Sequence, residues 1–274
     1  IESENILLCH TRLSIIDTSE KGLQPMTDIT GNYLIIFNGE IYNHHELRSL
    51  YLNEINFKTN SDTETILHLY IKYKENMFNY LDGMFVFCIL DKNKDELFIA
   101  RDRSGKKPLF IYEKNRSIVF ASELNAIKDI VSDLEINEEH IYSYLRTGFF
   151  FKKSTPYKNT FEIDAGHYYN INLKSLEIKE NSYFDILDYY KKDSTLSFSE
   201  SIEKLDQLLH KSVKDRLMSS DLDVGTFLSG GIDSSLIVAI ASQYKSNLKT
   251  FTVKFENSYD ESPLAKLSAT KYNT

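Results

Sequence analysis

Val224-Gly225-Thr226-Phe227-Leu228-Ser229-Gly230-Gly231-Ile232-Asp233-Ser234-Ser235-Leu236-Ile237-Val238-Ala239-Ile240-Ala241 runs from one apolar stretch through a glycine pair into another. It reads as strand, glycine loop and helix. Adjacent glycines let backbone N–H groups approach an anion with no Cβ in the way. The serines add hydroxyl donors, and the helix turns its positive N-terminal end toward the loop. A phosphate site is therefore expected, against the ordinary alternative of a strand–helix turn rich in small residues. The loop has neither the Gly-Lys-Ser/Thr ending of a Walker loop nor the GxGxxG spacing of a dinucleotide fold. Lys249 to Phe255 reads as the next strand. That βαβ order predicts a parallel sheet with its ligand at the carboxyl ends of the strands.

The chain has 274 residues, enough for two cores. Charged residues make up 26% and hydrophobic ones 42%, an ordinary globular balance. A net charge of -8 argues against a nucleic-acid partner, because phosphate backbones are bound by clustered Lys and Arg. No apolar run approaches the roughly 20 residues that cross a bilayer, and Ile1-Glu2-Ser3-Glu4-Asn5 is acidic where a signal peptide is basic. The expected setting is cytoplasmic, with small-molecule ligands. Cys9 and Cys88, the two cysteines, each lie in an apolar run and are expected to be inert packing. The sequence starts on Ile1, and its last residues from Leu264 read as the opening of a helix, so we expect a piece of a longer protein.

Upstream of the loop, strands are expected at Ile6 to Cys9, Tyr33 to Phe37, Met84 to Leu90, Leu97 to Ala100, Leu109 to Tyr112 and Ile118 to Phe120. Helices are expected over His45 to Leu50, Glu123 to Ile130 and Glu138 to Leu145. Another should start near Asp62, where Ser61 and Glu64 have capping-box spacing. Tyr169 to Leu173 alternates like an edge strand. The best linker is Lys191-Lys192-Asp193-Ser194-Thr195. Beyond it, Ile202, Leu205, Leu208, Leu209, Val213 and Leu217 share one face of a helix from Phe198 to Met218.

Taken singly, Arg12 has the ordinary explanation of a surface residue, Asn38-Gly39 of a turn and Asp62 of a helix cap. In order along the chain, however, come His10-Thr11-Arg12-Leu13-Ser14-Ile15-Ile16-Asp17, Gln24-Pro25-Met26, Asn38-Gly39-Glu40-Ile41-Tyr42-Asn43, Ser61-Asp62-Thr63-Glu64, Asp82-Gly83-Met84-Phe85 and Arg101-Asp102-Arg103-Ser104-Gly105-Lys106-Lys107-Pro108-Leu109. This succession resembles the glutaminase domain of class II glutamine amidotransferases, in particular the asparagine synthetase branch. Ser229 to Ser235 resembles the pyrophosphate-binding loop of ATP pyrophosphatases, which that branch joins to the glutaminase domain.

The resemblance implies an α/β protein in two parts. Residues 1–190 would form an N-terminal αββα sandwich of the N-terminal-nucleophile hydrolase type, followed by a linker at 191–198. Residues 199–274 would begin a doubly wound parallel-sheet ATP-pyrophosphatase domain. It implies that Arg12 grips the glutamine α-carboxylate, as a guanidinium fork suits. Asp62 would pair with the α-ammonium, and the Asn38 side chain and Gly39 N–H would serve the oxyanion. Leu13, Ser14, Ile15, Ile16 and Glu40 would line the same pocket. The family's nucleophile is a cysteine at the mature N-terminus, upstream of Ile1, and Cys9 does not replace it. ATP would lie on Leu228, Ser229, Gly230, Gly231, Asp233, Ser234 and Ser235, with Val253 near the adenine. Asp233 is open between Mg2+ contact and a helix cap, and Asp260-Glu261-Ser262 matches a family stretch but also reads as a cap. The expected function is ATP-driven amidation of aspartate with ammonia from glutamine, and a homodimer is compatible with it. Two alternatives stay open: a paralogue amidating a sugar acid or other carboxylate, and a non-catalytic module that binds glutamine or ATP.

Overall fold

The computed structural model describes residues 2–3, 6–191, 195–254 and 260–274. The centre of the expected linker, the far end of the strand drawn to Phe255 and most of the acidic opening lie outside the described residues. The chain divides into two compact units, 1–14 with 19–192, and 15–18 with 193–274. Among the described residues no helix is long and apolar enough to cross a membrane.

The first unit opens with a small hairpin, β1 (Glu2–Ser3) and β2 (Ile6–Leu7). It continues through β3 (Met26–Thr27), β4 (Tyr33–Ile41), α1 (His44–Tyr51), α2 (Asp62–Tyr73), β5 (Gly83–Asp91), β6 (Glu96–Arg101), β7 (Phe110–Lys114) and β8 (Ser117–Ala121). Then come α3 (Leu124–Ile130), α4 (Glu138–Thr147), β9 (Thr160–Glu162), β10 (His167–Asn172), β11 (Ile178–Ser182) and α5 (Leu187–Tyr190). Six antiparallel strands form one sheet in the order β11-β10-β6-β5-β4-β3, and β8-β7-β9 form a second.

The alternation of side chains along the strands builds the layers. In β5, Phe85, Phe87 and Ile89 face one core with Ile66, Leu69 and Tyr70 of α2 and Leu47 of α1. Val86, Cys88 and Leu90 face the other way, against Leu109 and Ile111 beside the second sheet. That second sheet turns Tyr112 and Val119 toward Ile127 of α3. Helices, sheet, sheet and helix therefore stack as αββα. The inner strands β5 and β6 are buried on both faces, so they read as near-continuous apolar runs in the sequence.

Three expectations change. The ordinary explanation of Asn38-Gly39 as a turn does not hold: the apolar alternation carries on to Ile41, fully buried, so β4 runs straight through the pair. The alternating stretch near Tyr169 is an inner strand, because β11 adds outside it. The first apolar run forms strand only at Ile6–Leu7, and Cys9 lies beyond it, exposed, so it is not core packing. Cys88 is buried, and burial pushes its thiol pKa up.

The second unit holds α6 (Phe198–Met218), β12 (Gly225–Phe227), α7 (Ile232–Tyr244), β13 (Lys249–Phe251) and α8 (Ser262–Tyr272). The strands β12 and β13 pair in parallel, Gly225 with Lys249 through Phe227 with Phe251, as the βαβ reading required. A complete capping box at Ser197 and Glu200 starts α6. Its apolar stripe packs only in part: Val213 is buried with Ile240, Ala241 and Leu248, whereas Ile202, Leu205 and Leu208 are exposed. At 13 residues against 21, α7 is too short to cover the whole stripe.

Asp102, buried to 1%, ties the end of β5 to the loop of the Arg101-to-Leu109 motif. Its carboxylate accepts the N–H groups of Phe85 at 3.1 Å and of Ser104, Lys106 and Lys107 at 3.0 Å each. Asp102→Ala strands these donors, and the expected loss is about 3 kcal/mol in urea unfolding. Unchanged stability would show that the loop closes without this carboxylate.

Candidate functional site

The site grows from the free edge of β4. Tyr42 N–H donates to the Asp82 carbonyl at 2.8 Å, so in this antiparallel register the even residues of β4 bond toward β5 and the odd ones point away. Opposite the odd residues lies β3, which is only two residues long and begins at Met26, opposite Ile35. Past it, Phe37 N–H donates to Oε1 of Gln24 at 2.6 Å, and Ile41 N–H donates to Oδ2 of Asp62 at 3.0 Å. The Gly39 N–H lies between these two and points the same way. Among the described residues no loop carbonyl or side chain takes it. A Cβ on Gly39 would run into the Met84 carbonyl, and one on Gly83 into the Glu40 carbonyl, so two glycines allow the close approach of the strands here. Asn38 is exposed and Glu40 half-buried on the same stretch.

Asp62 is the first residue of α2 rather than its cap. Ser61 is the cap, accepting the Thr63 N–H at 3.3 Å. The expected capping box does not form: Ser61 caps the Thr63 N–H, and Glu64 turns its carboxylate to the N–H groups of Lys58 and Thr59. Asp62 is thus spare for other work. It is 4% exposed, and its pKa is raised to about 6. Burial is the main cause, the Glu40 charge adds to it, and the Ile41 N–H opposes both. A buried carboxylate beside a second one is a place that favours a proton or a cation.

Two residues that motif reading gave no role hold this corner. Arg48 of α1 donates to Thr65 Oγ1 at 2.7 Å, to the Thr59 carbonyl at 2.8 Å and to the Ser61 carbonyl at 2.6 Å, so it fastens the start of α2. Gln24, besides accepting from Phe37, donates through Nε2 to Thr63 Oγ1 at 3.2 Å. Arg12 donates to the Ser19 carbonyl at 2.8 Å with its guanidinium lying on Gly22, where any Cβ would collide with it. It also acts on His10, whose ring bonds the Phe37 backbone and whose pKa is lowered, chiefly by burial. Arg12, Asn38, Gly39, Glu40 and Asp62 therefore belong to one neighbourhood of the first unit. Leu13 is exposed and Ser14 half-buried beside them. Ile15 and Ile16 group with the second unit, where the Ile15 carbonyl accepts the Asp221 N–H at 3.2 Å.

In the second unit, Leu228 is buried and its N–H donates to the Phe251 carbonyl at 2.8 Å, fixing the strand end from which the loop departs. Gly230 has φ +85 and sits against the start of α8, where a Cβ would meet Ala265 N and Leu264 Cβ at 2.8 Å. Ser229 and Ser234 hydroxyls lie 3.0 Å apart, and the Ser229 Oγ also accepts the Gly231 N–H at 3.3 Å. Ser235 bonds Ser268 of α8 at 3.0 Å. Asp233 is exposed in the first turn of α7, and Val253 is exposed past β13. Asp260 accepts the Ser262 N–H at 3.0 Å just ahead of α8, whose N-cap is Glu261.

Carboxylate and hydroxyl oxygens at the glycine loop suit a hard divalent ion. Among the described residues, Asp164, His167 and Glu180 also bring ligand atoms within 4.8 Å of one another. That cluster already holds a cation, since the Lys153 ammonium lies 3.6 Å from Asp164 and bonds Glu180.

Fold and site together define a two-unit protein: an αββα sandwich with a strand-edge donor beside a buried carboxylate, and a βαβ unit with a glycine loop. The chain belongs to the glutamine amidotransferase domain family, which matches residues 1–184. The asparagine synthase family matches residues 204–274. Asparagine synthetase [glutamine-hydrolyzing] 1 of Bacillus subtilis is 38% identical over 94% of this chain and 40% of its own length. Its asparagine synthetase 2 is 37% identical over 90% of this chain and 34% of that one. Asparagine synthetase B of Escherichia coli is 34% identical over 88% and 38%. The chain spans about half the length, or less, of the curated relatives it matches. A glutamine phosphoribosylpyrophosphate amidotransferase structure from B. subtilis aligns at TM-score 0.48 and 21% identity, over 91% of this chain and 52% of that one.

Asp62 gives a pH signature. Its pKa is higher folded, about 6, than the ordinary 3.8, so the folded state holds the proton more tightly and loses stability as pH rises from about 4 to 6. Asp62→Asn keeps an acceptor for Ile41 and removes this cost. The variant is expected to be about 2 kcal/mol more stable than the parent at pH 7, with the gap closing near pH 4. An equal gap at both pH values would mean that Asp62 does not titrate in this window.

Proposed function

We propose that the first unit hydrolyses the side-chain amide of glutamine, and that the second spends ATP to activate a carboxylate which the released ammonia then attacks. The observation that carries this reading is the Gly39 N–H, held open at a strand edge and framed by Gln24 on one side and Asp62 on the other. An outward N–H at a glycine is what a tetrahedral oxyanion needs, and the exposed Asn38 amide beside it is the second donor. Arg12 takes the α-carboxylate. Asp62 takes the α-ammonium, and Glu40 strengthens the pull of this corner on a cation. Leu13 and Ser14 line the pocket. The nucleophile is an N-terminal cysteine outside residues 1–274, as in the resembled family, with its own α-amine as base.

On the second unit, ATP lies along Leu228, Ser229, Gly230, Gly231, Asp233, Ser234 and Ser235, with the adenine near Val253. Asp233 supplies an oxygen ligand to Mg2+, whose chemistry when bound is to offset phosphate charge. The acceptor is aspartate, activated as aspartyl adenylate with release of pyrophosphate, because a free carboxylate is a poor electrophile. Residues 1–190 and 199–274 are the two domains, joined at 191–198, and the enzyme works in the cytoplasm.

In the full-length protein, glutamine should yield glutamate, and ATP with aspartate should yield pyrophosphate and asparagine. Absence of glutamate release sinks the reading, whereas pyrophosphate release with a different carboxylate replaces aspartate as acceptor. Arg12→Ala should raise KM for glutamine about tenfold or more with kcat nearly unchanged, since it removes binding shared by ground and transition states. An unaltered KM removes Arg12 from the site.

A further inference from the structure

The proposed glutaminase site is assembled from two elements that are far apart in sequence: the edge of β4, which carries Asn38 and Gly39, and the start of α2, which carries Asp62. Their separation is set by few bonds. One is the Ile41 N–H on Asp62 itself. The other runs through Gln24. Its Oε1 accepts the N–H of Phe37, the residue before Asn38, at 2.6 Å, and its Nε2 donates to Oγ1 of Thr63, the residue after Asp62, at 3.2 Å. Thr63 is buried to 1% and Phe37 to 4%, so neither end of this bridge is loose in solvent. The ladder itself makes the bridge necessary. Because β3 begins only at Met26, opposite Ile35, among the described residues no strand runs alongside β4 beyond Ile35 to take the outward N–H groups, and an unpaired buried donor is costly.

We propose that Gln24 is a positioning residue of this site, a carboxamide strut that fixes the oxyanion-facing Gly39 N–H relative to the ammonium-facing Asp62. The inference rests on the glutaminase reading given above. Gln24 touches no reacting atom; it acts by holding Phe37 on one side and Thr63 on the other. An amide is required because the strut must accept at one end and donate at the other, which neither Glu nor Met does in the same way. A shift of the strand edge against α2 falls hardest on the transition state, where the oxyanion contact is made, and less on ground-state binding, where Arg12 and Asp62 each hold one end of the amino acid.

The test compares wild type, Gln24→Met, Thr63→Val and the double variant in the full-length protein. Glutamine hydrolysis, synthesis from free ammonium, and thermal unfolding are measured for each. In Gln24→Met, kcat for glutamine hydrolysis should fall about tenfold or more while KM changes less than about threefold. Synthesis from free ammonium should be unchanged, which excludes a general loss of fold. Thr63→Val should reproduce part of the loss, and Thr63→Ser, which keeps the hydroxyl, should restore wild-type kcat. The double variant should be no worse than Gln24→Met, because both cut one strut. Additive losses, a change confined to KM, or wild-type kcat in Gln24→Met overturns the strut. A wild-type protein that releases no glutamate overturns the glutaminase reading instead, before any variant is compared.

Discussion

The pairing register of β4 with β5 is the constraint on which the first unit depends. With Tyr42 bonded to Asp82, the residues Phe37, Gly39 and Ile41 must present their N–H groups to the outer edge. A one-residue slip would turn these groups inward and move Ile35, Phe37 and Ile41 off the core they share with α2. The same register that buries the apolar face thus exposes the donor row. Packing and site geometry cannot be varied separately here.

That row is then terminated from both sides by side chains rather than by strands. Gln24 and Asp62 take the N–H groups on either side of Gly39, while across the pair Asp102 takes the N–H of Phe85, the residue opposite Gly39. Polar groups therefore replace the sheet at the point where the sheet stops. Three side chains from three loops or helix ends converge on a span of five consecutive rungs of one ladder, and this is a fixed frame of the kind an oxyanion donor requires. The cost falls on Asp62, whose carboxylate is buried next to Glu40 and is driven toward its protonated form. A nearby positive charge relieves that cost, so this corner favours a cation.

Much of this was legible in the residues. The apolar runs of both sheets, the long helix after Ser197 and the βαβ order around Ser229 all follow from periodicity, because strands buried on both faces and capped helices leave strong local signals. What local signals missed has a common cause. Asn38-Gly39 looked like a turn because the bonds that keep it extended lie on β5. Asp62 looked like a cap because the N–H it accepts is 21 residues away. Gln24 and Arg48 carried no readable role, since their partners at Phe37, Thr63, Thr59 and Ser61 are joined to them only by the fold.

The two units differ in how far they satisfy themselves. The first stacks its two sheets between helices, and the inner faces of these layers close into its own cores. The second pairs two parallel strands and leaves Phe227 at 77% and Phe251 at 55% exposure, with Ile232 at 84% beside the glycine loop. Parallel strands are ordinarily covered on both faces. Yet its loop is already well organised: Gly230 is seated on the start of α8, and Ser229, Ser234 and Ser235 are held by one another and by Ser268. The hydroxyls and N–H groups that would meet a phosphate are thus positioned by short-range bonds within the unit. The order of the loop does not wait on the apolar cover of the sheet, and so the glycine-loop corner and the uncovered faces of this unit are separate physical problems.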